Sequence, residues 1–286
     1  MKIDGVNGLI SVLSQGQIKN ICILDNNSIG FLLKVESDIA IEEFFKQYDL
    51  VLLPKWVEVE VNDGYYRKQY ISRVAELEDI LFCCVDEFWY LDLLKGKDGF
   101  LFKIFSEICR ADSNINSFMK RDILNGKGIE DLPDYEEWLG LLYDSGFQNE
   151  ELSNKRNKKK NAGEISICVL SYIISKFYEV DNVTTVSQDG GTYYMTKRAE
   201  EHLGDNIKFE YDNPITFKSN DFIINEFYKL GNLKEEVHEK ISNLRSKRKL
   251  KFTRVKEDGS IEERWKIVDN DEFIELLQDN TLQIIF

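Results

Sequence analysis

Residues 161–194 read NAGEISICVLSYIISKFYEVDNVTTVSQDGGTYY, and this stretch decides the fold class. Apolar residues recur on i+3 and i+4 spacings from Glu164 through Ile167, Leu170, Ile173, Ile174 and Phe177, so the spacing predicts a buried helix. A turn over residues 179–182 ends it. Residues 183–186 (VTTV) are β-branched and predict a short buried strand. Ser187, Gln188, Asp189, Gly190 and Gly191 form the loop that closes the strand before another helix. One acid, Glu164, therefore opens a helix, and another, Asp189, lies at the C-terminal end of a strand. In open α/β sheets, ligands gather at those strand ends. Read without the rest of the chain, Glu164 is a residue favouring the helix dipole and Asp189 a turn residue.

The same pattern stands earlier in the chain. Residues 18–24 become continuously apolar from Ile21, end at Asp25, and pass through Asn26, Asn27 and Ser28 into an apolar helix over 29–35. Residues 50–53 (LVLL) form a further apolar strand, which Pro54 closes while starting a helix. That helix carries Glu58 and Glu60, two positions apart and so on different faces. Only one of them can face the same cleft as Asp25. Residues 65–150 read as a largely helical insertion with one strand at 80–85. Residues 155–160 hold Lys155, Arg156, Lys158, Lys159 and Lys160 just before Glu164. Such a run is a solvated mobile loop or a phosphate-contacting one.

Beyond Asp189 the sequence predicts a helix over 193–203, short strands at 208–211 and 215–217, and a helix over 221–230 capped by Ser219. A boundary near Gly231 divides residues 1–230 from a C-terminal module, 231–286. The module begins with a charged helix over 233–250. Asp258-Gly259 between alternating runs then marks a hairpin, followed by a helix over 271–277 and a terminal strand over 282–285. The predicted class is α/β, a parallel sheet between helices with a helical insertion and a small α+β appendage.

Composition narrows the function. A chain of 286 residues with 43% hydrophobic and 12% aromatic residues builds a full core. The formal net charge of -14 repels a polyanion at long range, so a nucleic-acid function needs local basic patches or bound cations. Five cysteines, an odd number lying mostly in apolar runs, suit buried thiols in a reducing cytoplasm rather than a disulfide frame. With no C-x-x-C and only two histidines, His202 and His238, both read as surface helix residues, a structural zinc site is disfavoured. No signal peptide or membrane-length apolar run is expected. The tryptophans read as packing residues.

Asp25, Glu60 (or Glu58), Glu164 and Asp189 stand at comparable topological places. Parallel strands joined by same-handed crossovers bring such ends to one edge. Carboxylates gathered there repel one another unless a cation lies between them, and Mg²⁺ or Mn²⁺ suits an all-oxygen site.

At ICILDNNSI with Asp25, LVLLPKWVEVE with Glu60, GEISICVL with Glu164 and VTTVSQD with Asp189, the chain resembles the PIN-domain nucleases. The resemblance covers roughly residues 18–62 and 161–200. It implies an endoribonuclease that uses Mg²⁺ or Mn²⁺, with Asp25 and Asp189 as main ligands and Glu60 and Glu164 supporting a second ion or its waters. Asn26 or Ser28 would hold a phosphate oxygen, and the 155–160 run would guide RNA. The pattern departs from the family in its long insertion and in Ser187-Gln188, where a Thr-Asn or Thr-Asp pair is common. A flap-type DNA nuclease shares the acid layout, and an inactive scaffold that binds a protein partner shares the fold. Small relatives are often toxins held by an antitoxin, or parts of defence loci.

Overall fold

The computed structural model describes residues 1–152, 155, 157–204, 209–231, 237–256 and 258–285. Helix α1 (Gly5–Ser14) leads into β1 (Asn20–Leu24). Helices α2 (Asn26–Lys34) and α3 (Ile41–Phe45) connect β1 to β2 (Leu50–Pro54). Helices α4 (Lys55–Val61) and α5 (Tyr65–Ala75) connect β2 to β3 (Leu81–Val85). A helical stretch follows, comprising α6 (Tyr90–Leu93), α7 (Asp98–Cys109), α8 (Ser113–Phe118) and α9 (Tyr135–Leu141). The hairpin of β4 (Asn149–Glu151) and β5 (Asn157–Lys159) returns the chain to α10 (Ala162–Phe177) and β6 (Asn182–Val186). Helix α11 (Gly190–Gly204), β7 (Ile215–Lys218), α12 (Asn220–Lys229) and α13 (Val237–Leu244) come next. The chain finishes with β8 (Arg248–Val255), β9 (Ile261–Val268), α14 (Asn270–Gln278) and β10 (Leu282–Ile284).

The main sheet has the order β3-β2-β1-β6-β7, and every neighbouring pair is parallel. Strands covered on both faces need no polar alternation, which is why Ile21, Ile23, Leu50 and Leu52 run with other apolar residues and are fully buried. The strand expected at 80–85 is β3, the edge of this sheet, so the helical insertion begins after it. From β1 the chain moves to β2 on one side, and from β6 it moves to β7 on the other. The order therefore reverses between β1 and β6, and a crevice opens at their C-terminal ends.

Helix α10 runs through the interior, and every residue of it except Glu164 is buried. A helix apolar on all sides belongs in a core. Its serines satisfy themselves: Ser171 donates to the Ile167 carbonyl at 2.7 Å and Ser175 to that of Asn213 at 2.5 Å. Ser166 donates to Glu87 at 2.7 Å.

The C-terminal sheet, β10-β8-β9, is antiparallel. It is tied to the main sheet by Asp221, at the start of α12, which accepts from Arg245 Nε at 3.1 Å and from Arg248 Nε at 3.0 Å. Ser219 caps α12 as the sequence predicts, accepting from the Phe222 amide at 3.1 Å.

Three local readings differ. Of the helix expected over 233–250, residues 233–236 lie outside the described residues, 237–244 are helical, and Arg248 already starts β8, because its run pairs with β9 residue for residue. No strand forms over 209–211 (Lys208 lies outside the described residues), because Phe209 turns inward to pack on Phe100, Tyr172 and Phe177. The basic run is no open loop at 157–159, where it pairs with 149–151. No helix among the described residues is long and apolar enough to cross a membrane. His202 is exposed; the side chain of His238 lies outside the described residues.

Candidate functional site

The crevice between β1 and β6 is built by register. Leu24 lies opposite Val186, and the Asp25 amide continues the ladder by donating to the Val186 carbonyl at 3.0 Å. The next residues on the two strands, Asp25 and Ser187, therefore meet, and Ser187 Oγ donates to Asp25 Oδ2 at 3.1 Å. Asp25 stands at the N-cap position of α2 yet makes no side-chain cap bond, so capping does not account for it. Its carboxyl is 6% exposed. Burial, then the charge of Glu60, outweigh the Ser187 and Asn26 hydrogen bonds and raise its pKa from 3.8 to about 7.

Ser187 also accepts from the Asp189 amide at 3.1 Å, and Asp189 Oδ1 accepts from the Gly191 amide at 2.6 Å. A side chain at 191 would place its Cβ 3.0 Å from that same oxygen, which favours glycine there. Asp189 in turn lies beside the carboxyl of Glu164, which stands on the first turn of α10. Burial first, then Asp189, Asp25 and Glu60, push Glu164 up to about 8.

Glu60 completes the set. Its Oε2 accepts from Asn26 Nδ2 at 3.3 Å and from Lys158 Nζ at 3.2 Å. Gly163, the residue before Glu164, lets α10 approach α4: a Cβ there would lie 3.2 Å from Val57 Cγ2 and 3.5 Å from Glu60 Oε1. Glu58 points elsewhere, to the thiol of Cys84 on β3, whose pKa is raised by burial and then by Glu58. Of the two glutamates, Glu60 is the one beside Asp25.

The structure thus brings Asp25, Glu60, Glu164 and Asp189 within electrostatic reach of one another. Among the described residues, no three His, Cys, Asp or Glu side chains already converge on a point where an ion would be held. The donor chemistry still fits a hard divalent cation. All four side chains offer carboxylate oxygens, the pKa values of Asp25 and Glu164 are raised first by burial and then by the neighbouring carboxylates, and the buried Asn26 Oδ1 has no partner.

Other candidate residues fall differently. Ser28 is fully buried, hydrogen-bonded to Asn220 Oδ1 at 3.3 Å, and reaches no substrate. Lys155 and Lys160 are exposed, and Lys159 donates to the Asp144 carbonyl at 2.7 Å. Arg156 lies outside the described residues. Lys158 is the basic residue that enters the site, bridging Glu60 and Glu150. Two contributors went unread in the sequence: Ser187 as the partner of Asp25, and Lys158 as the counter-charge of Glu60. Extending the parallel register one residue past each strand would have found the first. The second depends on a hairpin between distant residues and has no local signal.

Another acid at a strand end, Glu87, lies apart in the core beneath α10. It is 1% exposed and accepts from the Trp56 amide at 2.9 Å and from Ser166. Burial raises it to about 8.

The chain matches no protein-family model, and no curated protein is detectably similar in sequence. The class follows from fold and site alone: an α/β protein with an acidic crevice at the point where its parallel sheet reverses order.

Proposed function

We propose that the chain is a divalent-metal-dependent, PIN-like endoribonuclease. The observation that carries this reading is the meeting of Asp25, Glu60, Glu164 and Asp189, drawn from four separate elements, at the switch point of the sheet. Asp25, Asp189, Glu60 and Glu164 would hold Mg²⁺ or Mn²⁺. A bound ion would activate water and neutralise the charge developing on a phosphodiester. The protein's own groups prepare the site. Ser187 fixes the carboxyl of Asp25, the Gly191 amide fixes that of Asp189, and Asn26 orients Glu60. Lys158, on the hairpin beside the crevice, offers an ammonium group for a phosphate once it leaves Glu60. All five cysteines are free thiols, which suits a cytoplasmic setting.

The test is cleavage of end-labelled single-stranded RNA in Mg²⁺, Mn²⁺ or EDTA, by the wild-type protein and by Asp25→Asn and Asp189→Asn. Divalent-dependent products with 5′-phosphate and 3′-hydroxyl ends, lost in both variants, support the reading. Cleavage of flap DNA in place of RNA moves the chain to the flap-type nucleases. Absence of any divalent-dependent cleavage leaves a scaffold that binds a protein partner.

A further inference from the structure

Four and five residues past Asp189, helix α11 presents Tyr193 and Tyr194. At 1.5 Å rise per residue they lie roughly 6–8 Å along the helix from the acid loop. Tyr194 is 51% exposed, and its ring stacks on that of Trp265 at 5.9 Å with 23° between planes. Trp265 belongs to β9 and lies opposite Lys251 of β8, with Lys249 opposite Ile267 in the next pair on that sheet face. Lys249 Nζ lies 4.8 Å over the Trp265 ring. Lys251 Nζ lies 5.6 Å over the same ring and donates to the Tyr193 hydroxyl at 2.9 Å. Phe217 packs behind Tyr193 at 5.2 Å and fixes the platform to the edge of the main sheet. Among the described residues one acid, Glu263, shares this face and pairs with Lys251 at 2.7 Å, while Lys249 is an exposed cation over the rings.

An exposed aromatic stack with lysines over it matches a particular ligand. Single-stranded nucleic acid offers flat bases to stack on rings and phosphates to meet ammonium groups, whereas a duplex hides its bases. In a chain of net charge -14, attraction for such a strand has to be local, and this patch gathers cations over rings that stand about one helical turn past Asp189. We propose that Tyr194, Trp265 and Lys249 form a base-stacking platform that holds single-stranded RNA leading into the crevice. The choice of RNA rests on the nuclease reading; the platform itself rests on the rings and lysines.

The experiment measures binding apart from cleavage. Anisotropy of a fluorescein-labelled single-stranded RNA 12-mer is followed in EDTA across a salt series, with duplex RNA and single-stranded DNA of the same sequence as comparisons. Tyr194→Ala should weaken single-strand binding about 5- to 10-fold, the lower part of the range for loss of one stacking ring. Lys249→Gln should reduce the log–log salt slope by about 0.7. Trp265→Phe keeps a ring and should stay within about twofold. Unchanged single-strand affinity in both Tyr194→Ala and Lys249→Gln overturns the platform even if Mn²⁺-dependent cleavage is normal. So does equal weakening on duplex RNA, or a wild-type protein that binds no single strand. Weakened binding in a protein that cleaves nothing in Mn²⁺ supports the platform and defeats the nuclease reading. Tighter binding of DNA than of RNA overturns the assignment to RNA.

Discussion

Replacing Asp25 by Asn should change how stability depends on pH. In the unfolded chain this carboxyl titrates near 3.8; in the native protein burial and Glu60 raise it to about 7. Between those values the native state binds a proton that the unfolded state has lost, so stability falls as pH rises. The stabilising contribution is complete below pH 4 and gone above pH 7. At about 1.36 kcal/mol per pH unit, the loss is up to about 4 kcal/mol, and relaxation around a coupled group brings it to roughly 2–4 kcal/mol. Asparagine keeps an oxygen for the Ser187 hydroxyl and carries no charge. In EDTA, urea unfolding should find Asp25→Asn more stable than wild type by roughly 2–4 kcal/mol at pH 8, and within about 1 kcal/mol of it at pH 4. Mn²⁺ at pH 8 should reverse the order, since an ion would compensate the aspartate and not the amide. A difference between the two proteins that is the same at both pH values, or a less stable Asp25→Asn at pH 8 in EDTA, would refute the account of a charge-crowded crevice.

Three further outcomes are expected. Lys158→Met removes the ammonium 3.2 Å from Glu60; the pair is partly solvated, so the gain in Mn²⁺ affinity should be about fivefold, roughly 1 kcal/mol, and calorimetry that finds weaker binding refutes it. Arg245→Met strips a fully buried charge from Asp221 and should destabilise by about 3–5 kcal/mol in urea, with Asp221→Asn in the same chain restoring part of the loss; a single variant as stable as wild type refutes the clamp between the two sheets. Burial raises Glu87 from 4.5 to about 8, so wild-type stability falls as pH rises between those values; in urea Glu87→Gln should match wild type within about 1 kcal/mol at pH 5 and gain on it up to pH 8, while Glu87→Ala should cost about 2–3 kcal/mol at pH 5 by orphaning Trp56 and Ser166.

The main sheet was legible because its strands are buried on both faces. Uninterrupted runs such as residues 21–24 and 50–53 leave no alternative pattern, and each is closed by a polar residue or proline. The position of Asp25 and Asp189 followed from the same logic, since a residue just after a parallel strand is carried to a known edge. Glu60 was legible only as one of two, because α4 is too short for its period to distinguish position 58 from 60. Side-chain partners set by distant segments were not legible. Lys158 reaches Glu60 only because β5 pairs with β4, and Arg245, within the expected charged helix over 233–250, is drawn inside by Asp221. Trp265 read as packing; it does pack, but on an exposed tyrosine, which no local pattern announces.

The burial of α10 bears on how the site is lost as well as on how it is held. A helix with no solvent-facing stripe cannot fray along its length without opening the core around it. Its amides should be among the slowest in the chain to exchange with deuterium, at a rate set by global opening. Glu164 sits on the first turn of that slow segment, whereas Lys158 sits six residues before it on a partly exposed hairpin strand. The acid and the lysine that face each other across Glu60 therefore belong to parts of the molecule that open on different timescales. The hairpin can lift and reseat many times during the lifetime of one native helix, so Lys158 can leave Glu60 and return while the acids on the core elements keep their places.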